Sequence, residues 1–212
     1  MPPPTTDCLR ADARRNRDQI MDAAARAFAD VGSDVPMDEI ARRAGVGVGT
    51  LYRRFADRES LVVAVVRSSL DALLQKIRAA AEDEPRAWGA LVQSMSFSHE
   101  LRLTLPRTAD LPPALAAAVR ADAGTARLRA ELTELVERLV AAAQQEGSLR
   151  ADVGPGDVTH LFALVYRSAP TRAEDPDDIV TSRALAVILD GLTTGGNTDL
   201  PGRPLETGDL RG

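Results

Sequence analysis

The sequence predicts an all-α chain of roughly nine helices, three in an amino-terminal unit and six in a carboxyl-terminal bundle. Three observations predict it. Apolar residues recur at helical spacing from Arg10 onward, and no segment alternates at period two. Aromatic residues are only 3% of the 212 residues while hydrophobic residues are 44%, so the core must be built from Ala, Leu and Val. Such a composition packs helices closely and suits a sheet poorly. Gly and Pro fall between the periodic segments and punctuate them.

Each element follows from its own pattern. The first helix spans about 10–31, with Ile20, Ala24, Ala27, Phe28 and Val31 on one face and Gly32 ending it. After a short loop come helices at about 37–44 and 48–55, separated by a tight turn at Gly45, Val46 and Gly47. Asp57 caps a long fourth helix over about 58–81. Pro85 opens a helix reaching about 103, and the segment 106–113 is a loop before a short Ala-rich helix at 114–121. The most regular helix runs over 125–145, where Leu128, Leu132, Leu135 and Leu139 form one stripe. Helices at 156–168 and 177–192 flank an acidic loop. The domains read as a disordered leader at 1–9, a first unit at 10–56, a bundle at 57–193 and a disordered tail at 194–212.

Composition limits the function. One cysteine, Cys8, rules out a disulfide framework and makes a reducing cytoplasm the expected compartment. The start of the chain lacks a secretory pattern, and no apolar run approaches the ~20 residues of a membrane span, so no membrane partner is expected. The net charge is −5; residues 1–60 carry 10 Arg against 10 acids, and the remainder carries 16 basic against 21 acidic groups. Any binding of nucleic acid therefore depends on where the arginines of the first unit point.

The stretch 37–55 is the informative one. Two short helices meet at an elbow packed with Ile40, Ala41, Ala44, Val46 and Leu51, with Gly45 where the backbone must turn sharply. That is what a helix-turn-helix needs, and its second helix would then present its amino-terminal half to a DNA major groove. The set Arg17, Ile20, Ala24, Phe28, Gly32, Ile40, Ala41, Ala44, Gly45, Val46, Gly49, Thr50, Leu51, Tyr52, Phe55, Arg58 and Leu61 closely resembles the DNA-binding domain of the TetR family of bacterial regulators. The resemblance covers about residues 10–62; the rest is similar in length and helix order only.

The resemblance implies that Thr50, Tyr52, Arg54 and Arg58 hold phosphates while Val48, Gly49 and Arg53 lie nearest the bases. Arg pairs with guanine O6/N7, and Val48 suits a thymine methyl. Arg14 and Arg17, on the first helix, add backbone or minor-groove contacts. Pro36 and Gly47 depart from the family pattern, which has hydroxyl residues there, so binding leans on the arginines. The resemblance also implies a homodimer built by the last two long helices, with Leu161, Phe162, Val165, Ile188 and Leu189 at the interface. It further implies a small-molecule pocket. Trp88, Val92, Met95 and His99 recur at spacings of 4, 3 and 4 on one stripe, facing Leu128, Leu132 and Leu135. Ordinary core packing explains that stripe equally well.

Other chemistry finds no support. The Gly45-to-Thr50 segment has neither nucleotide-loop spacing nor the lysine of a P-loop. His99 and His160 have no nearby Cys or His partner for a metal, no catalytic set stands out, and no cofactor is expected. Arg42 and Arg43 fit an exposed salt-bridged face as well as a groove. The expected function is a cytoplasmic, non-enzymatic repressor that binds a palindromic double-stranded operator as a homodimer and is released by a small-molecule inducer. The rivals are a sequence-tolerant architectural DNA protein without a ligand switch, and an all-helical enzyme or lipid carrier.

Overall fold

The computed structural model describes residues 6–96, 111–168, 179–195 and 198–210. Among them are nine α-helices: α1 (Thr6–Asp30), α2 (Met37–Arg43), α3 (Val48–Arg54), α4 (Arg58–Asp83), α5 (Ala87–Ser96), α6 (Pro113–Ala121), α7 (Ala123–Gln145), α8 (Pro155–Ser168) and α9 (Ile179–Leu192). A 3-10 turn at Thr207–Leu210 follows. No strand occurs among the described residues, only an isolated bridge between Leu149 and Thr193. No described helix is long and apolar enough to cross a membrane.

Caps set most of the boundaries. Asp57 accepts from the Ser60 amide at 2.7 Å while the Ser60 hydroxyl oxygen accepts from the Asp57 amide, a reciprocal capping box that fixes the start of α4. These bonds also hold the Asp57 carboxyl below its usual range. Asp122 does the same for α7, accepting from the amide and hydroxyl of Thr125 at 2.7 and 2.8 Å. That helix therefore begins two residues before the expected position 125. α1 begins at Thr6, so residues 6–9 are helical backbone and not a disordered leader. A Thr-Thr-Asp run directly after prolines is itself a helix-start pattern.

Two apolar cores share α4. The first joins Ile20, Ala24 and Phe28 of α1 to Ile40, Leu51, Phe55, Leu61 and Val62, and Leu115 and Val119 of α6 enter it. The second joins Leu73, Leu74 and Ile77 of α4 to Leu91 and Met95 of α5, Leu135 and Val140 of α7, and Val158 of α8. Leu128 and Leu132 pack against both. The continuous 26-residue α4 thus ties the amino-terminal unit to the bundle, and α6 ties it a second time.

The expected disordered tail is a correction. Arg150, paired with Asp152 at 2.6 Å, donates to the Thr198 carbonyl at 2.7 Å. The Leu205 amide donates to Asp157 at 3.0 Å, its carbonyl accepts from the Gly156 amide at 2.7 Å, and Thr207 bonds Glu137 of α7. The approach is close because two glycines allow it. A Cβ on Gly154 would lie 2.2 Å from the Leu205 carbonyl oxygen, and one on Gly156 would lie 2.5 Å from that of Glu206. Composition alone reads the tail as low in core-forming residues; its partners lie some 50 to 70 residues away, as with Leu205–Asp157 (|i−j| 48) and Thr207–Glu137 (|i−j| 70).

Candidate nucleic-acid interface

Local chemistry shapes the elbow between α2 and α3. The Ala44 amide donates to the Ile40 carbonyl at 2.9 Å and the Val46 amide to the Ala41 carbonyl at 3.0 Å, which ends α2. Gly45 takes φ +67, the left-handed region that a side chain strains. Gly47 is extended and its carbonyl accepts from the Thr50 and Leu51 amides, which starts α3 without any side-chain cap. Pro36 likewise starts α2 without one.

Leu51 is fully buried and anchors α3 to the first core. At ~100° per residue, Gly49 and Arg53 then fall on the opposite side of the helix, with Thr50 and Tyr52 flanking them. Val48 is 41% exposed and Tyr52 49%, and both arginines are exposed. Arg53 donates to the Thr50 hydroxyl oxygen at 3.0 Å, so the guanidinium is held along the outer face with donors to spare. The structure therefore gathers Val48, Gly49, Thr50, Tyr52, Arg53 and Arg54 on one short projecting helix.

Four other arginines do structural work. The Arg17 guanidinium lies 4.7 Å from the centre of the Phe55 ring, which steadies the end of α3 against α1. Arg58 is half-buried and donates to the Ser33 carbonyl, pinning the loop before α2 to the start of α4. Arg42 and Arg43 grip Glu39 at 2.6 to 2.8 Å and, by hydrogen bonding, pull its carboxyl down to about 2; Arg43 also reaches Asp30. They form the salt-bridged face. An open cleft of about 540 Å³ lies beside α3, lined by Pro36, Met37, Asp38, Val48, Tyr52, Ala56, Asp57 and Arg58. The Arg14 side chain lies outside the described residues.

Comparison with known proteins agrees with this geometry. Residues 20–65 match the family of bacterial regulatory proteins of the TetR type, and residues 90–194 match the carboxyl-terminal domain of SbtR-like transcriptional regulators. A TetR transcription regulatory protein from Mycobacterium vanbaalenii is 32% identical, over 87% of this chain and 99% of that one, with a TM-score of 0.61. The chain belongs to the TetR family. A second TetR regulator, from Streptomyces coelicolor, is 28% identical over 84% of this chain and 98% of its own, with a TM-score of 0.60. An HTH-type transcriptional regulator of Staphylococcus aureus (strain USA300) is 28% identical over 96 residues, 45% of this chain. That match spans about half (52%) of the relative's length. The protein is thus a TetR-family transcriptional regulator with a DNA-binding helix-turn-helix.

In this TetR chain, Met95 and Leu135 are buried in the second core, and Trp88, Leu128 and Leu132 pack half-buried against it. Val92 is half-buried and lies outside that cluster, whereas Leu91 is buried within it. The inward face of α5 is Ala90, Leu91, Ser94 and Met95, with the Ser94 hydroxyl donating to the Ala90 carbonyl at 2.6 Å. Small residues marked that face, and a stripe chosen by side-chain size overlooked them. His99 lies outside the described residues. Of the expected dimer positions, Leu161, Phe162, Ile188 and Leu189 are half-buried against the second core, and the Val165 side chain lies outside the described residues. Among the described side chains of these two helices, the large apolar residues left exposed are Leu164, Ile179, Val180 and Val187.

Proposed function

We propose that this regulator is a repressor that binds a palindromic operator as a homodimer and lets go when a small molecule enters its helical bundle. The observation that carries the reading is the outward face of α3, where Gly49, Thr50, Tyr52 and Arg53 project from a helix anchored by one buried leucine, with Arg54 exposed at its end. Arg53 and Gly49 face bases, while Thr50, Tyr52 and Arg54 hold phosphates; Arg58 positions the helix as much as it touches DNA.

Dimerisation draws support from α9. Val180, Ala184, Val187 and Gly191 are all exposed and recur at spacings of 4, 3 and 4, a flat apolar stripe along which a second helix packs closely. Release by a ligand draws support from the shared α4 and from α6, which carry any rearrangement of the bundle into the first core. In the same fold, FadR of Bacillus subtilis, 14% identical, is known in complex with stearoyl-CoA. The pocket here is the region of Trp88, Met95, Leu128, Leu132 and Leu135.

Val187→Asp tests the assembly. Val187 is 71% exposed, so the substitution leaves the folded chain intact while placing a charge in the interface. Sedimentation should show a folded monomer with lost operator binding. A variant that stays dimeric and binds normally would refute the interface. Protection of one palindrome in a footprint supports the repressor, and even coverage of unrelated DNA supports the architectural alternative.

A further inference from the structure

The inward face of α7 carries one charge. Thr125, Leu132, Val136, Val140 and Ala143 share that face at helical spacing, and each is buried or half-buried. Arg129 lies on the same stripe, one turn after Thr125 and three residues before Leu132, and is itself half-buried. Burial pushes its guanidinium below the ordinary arginine range, and the positive charge of Arg120, in the last turn of α6, acts in the same direction.

Nearby carboxylates are committed elsewhere. Asp122 caps α7 through Thr125, Glu131 is held by Arg78 and Arg127 at 2.7 and 2.8 Å, and Glu134 by Arg138 at 2.9 Å. Among the described residues no carboxylate pairs with Arg129. A half-buried cation beside a second cation is unfavourable unless an anion joins them. The stripe itself calls for an apolar residue at this position.

We propose that Arg129, helped by Arg120, receives the acidic head group, carboxylate or phosphate, of an amphipathic small molecule whose apolar body packs against Leu128 and Leu132. This rests on the ligand-release reading above and gives its ligand a chemical class. The position also supplies the coupling. Leu128 and Leu132 pack against both cores, and α6 inserts Leu115 and Val119 into the core of the DNA-binding unit. An anion shared by the two arginines replaces repulsion with attraction at the α6–α7 junction and so shifts a helix wedged against that unit.

The experiment uses the full chain and three probes with one tail: decanoate, decyl phosphate and decanol. Binding is read by Trp88 fluorescence, thermal stability and operator affinity. Wild type should bind an anionic probe at least about tenfold more tightly than decanol. Whichever of decanoate and decyl phosphate binds more tightly names the head group. Arg129→Met should bring both anions down to the level of decanol, while the unliganded variant melts at the wild-type temperature or higher. Arg129→Lys should keep part of the preference, which guards against a folding defect in the first variant. Equal binding and operator release by decanol and the anions would overturn the anion site and leave the ligand switch standing. Destabilisation of unliganded Arg129→Met and Arg129→Lys alike would also overturn it, since that marks an ion pair within the chain. No response to any probe would overturn the site and the ligand switch together.

Discussion

Gly49→Ala separates what α3 needs to fold from what it needs to approach DNA. Gly49 is the second residue of α3, exposed, with an ordinary helical φ, and a Cβ built on it meets nothing within 4 Å. No steric cost offsets the gain in helix propensity, so alanine should stabilise the protein by about 0.5–1 kcal/mol. For a chain of this size that is a rise of about 1–4 °C in Tm. On DNA the sign reverses. Gly49 lies opposite the buried Leu51, where the helix comes nearest the bases, and an added methyl meets the groove at the cost of overpacking, about 1–3 kcal/mol. Operator affinity should fall by about five- to 150-fold. Thermal melting and fluorescence anisotropy on the same preparation read both quantities. A variant that is stabilised yet binds the operator normally would refute the placement of Gly49 against DNA. A destabilised variant would refute the structural reasoning.

Arg53→Ala should weaken specific binding by about 1–3 kcal/mol and random DNA far less, whereas Arg58→Ala should weaken both alike; anisotropy on operator and shuffled duplexes checks the difference. Gly156→Ala forces a Cβ to within 2.5 Å of the Glu206 carbonyl oxygen, so the tail should lift at a cost of about 1–3 kcal/mol. Limited proteolysis would then cut within 198–210 ahead of the rest, and unchanged resistance would contradict the docking. Acid should release the same tail. The Arg150 pair holds the Asp152 carboxyl down from 3.8 to about 2, and the Arg203 pair does so for Asp209. Folded values below the unfolded one mean that this stabilisation is complete above pH 3.8 and lost as pH falls through about 2. Hydrogen exchange of the tail amides should therefore show protection falling across that window, and protection that rises on acidification would contradict the pairing.

The elbow of α2 and α3 was legible because its determinants are local. Gly45, the buried Ile40, Ala41 and Leu51, and the Asp57 cap all act within a few residues of themselves. What the sequence hid depends on distant partners. Nothing beside Gly154 or Gly156 announces a tail passing over them, and nothing beside Arg58 announces the Ser33 carbonyl. The expected dimer positions show the same limit. Periodicity marks Leu161, Ile188 and Leu189 as apolar, but only packing tells which apolar face the bundle uses and which it leaves at Val180 and Val187. On α5, Leu91 outranked Val92 because the helix turns its small residues inward, a choice made by α4 and α7.

The most direct measurement is an anisotropy titration of the full chain on duplexes from its own upstream region, read for stoichiometry and sequence preference at two salt concentrations. The account predicts one protected palindrome bound by two chains, a steep fall in affinity with salt, and specific binding at least about a thousandfold tighter than to shuffled DNA. Binding of one chain per site, or equal affinity for shuffled DNA, would contradict it.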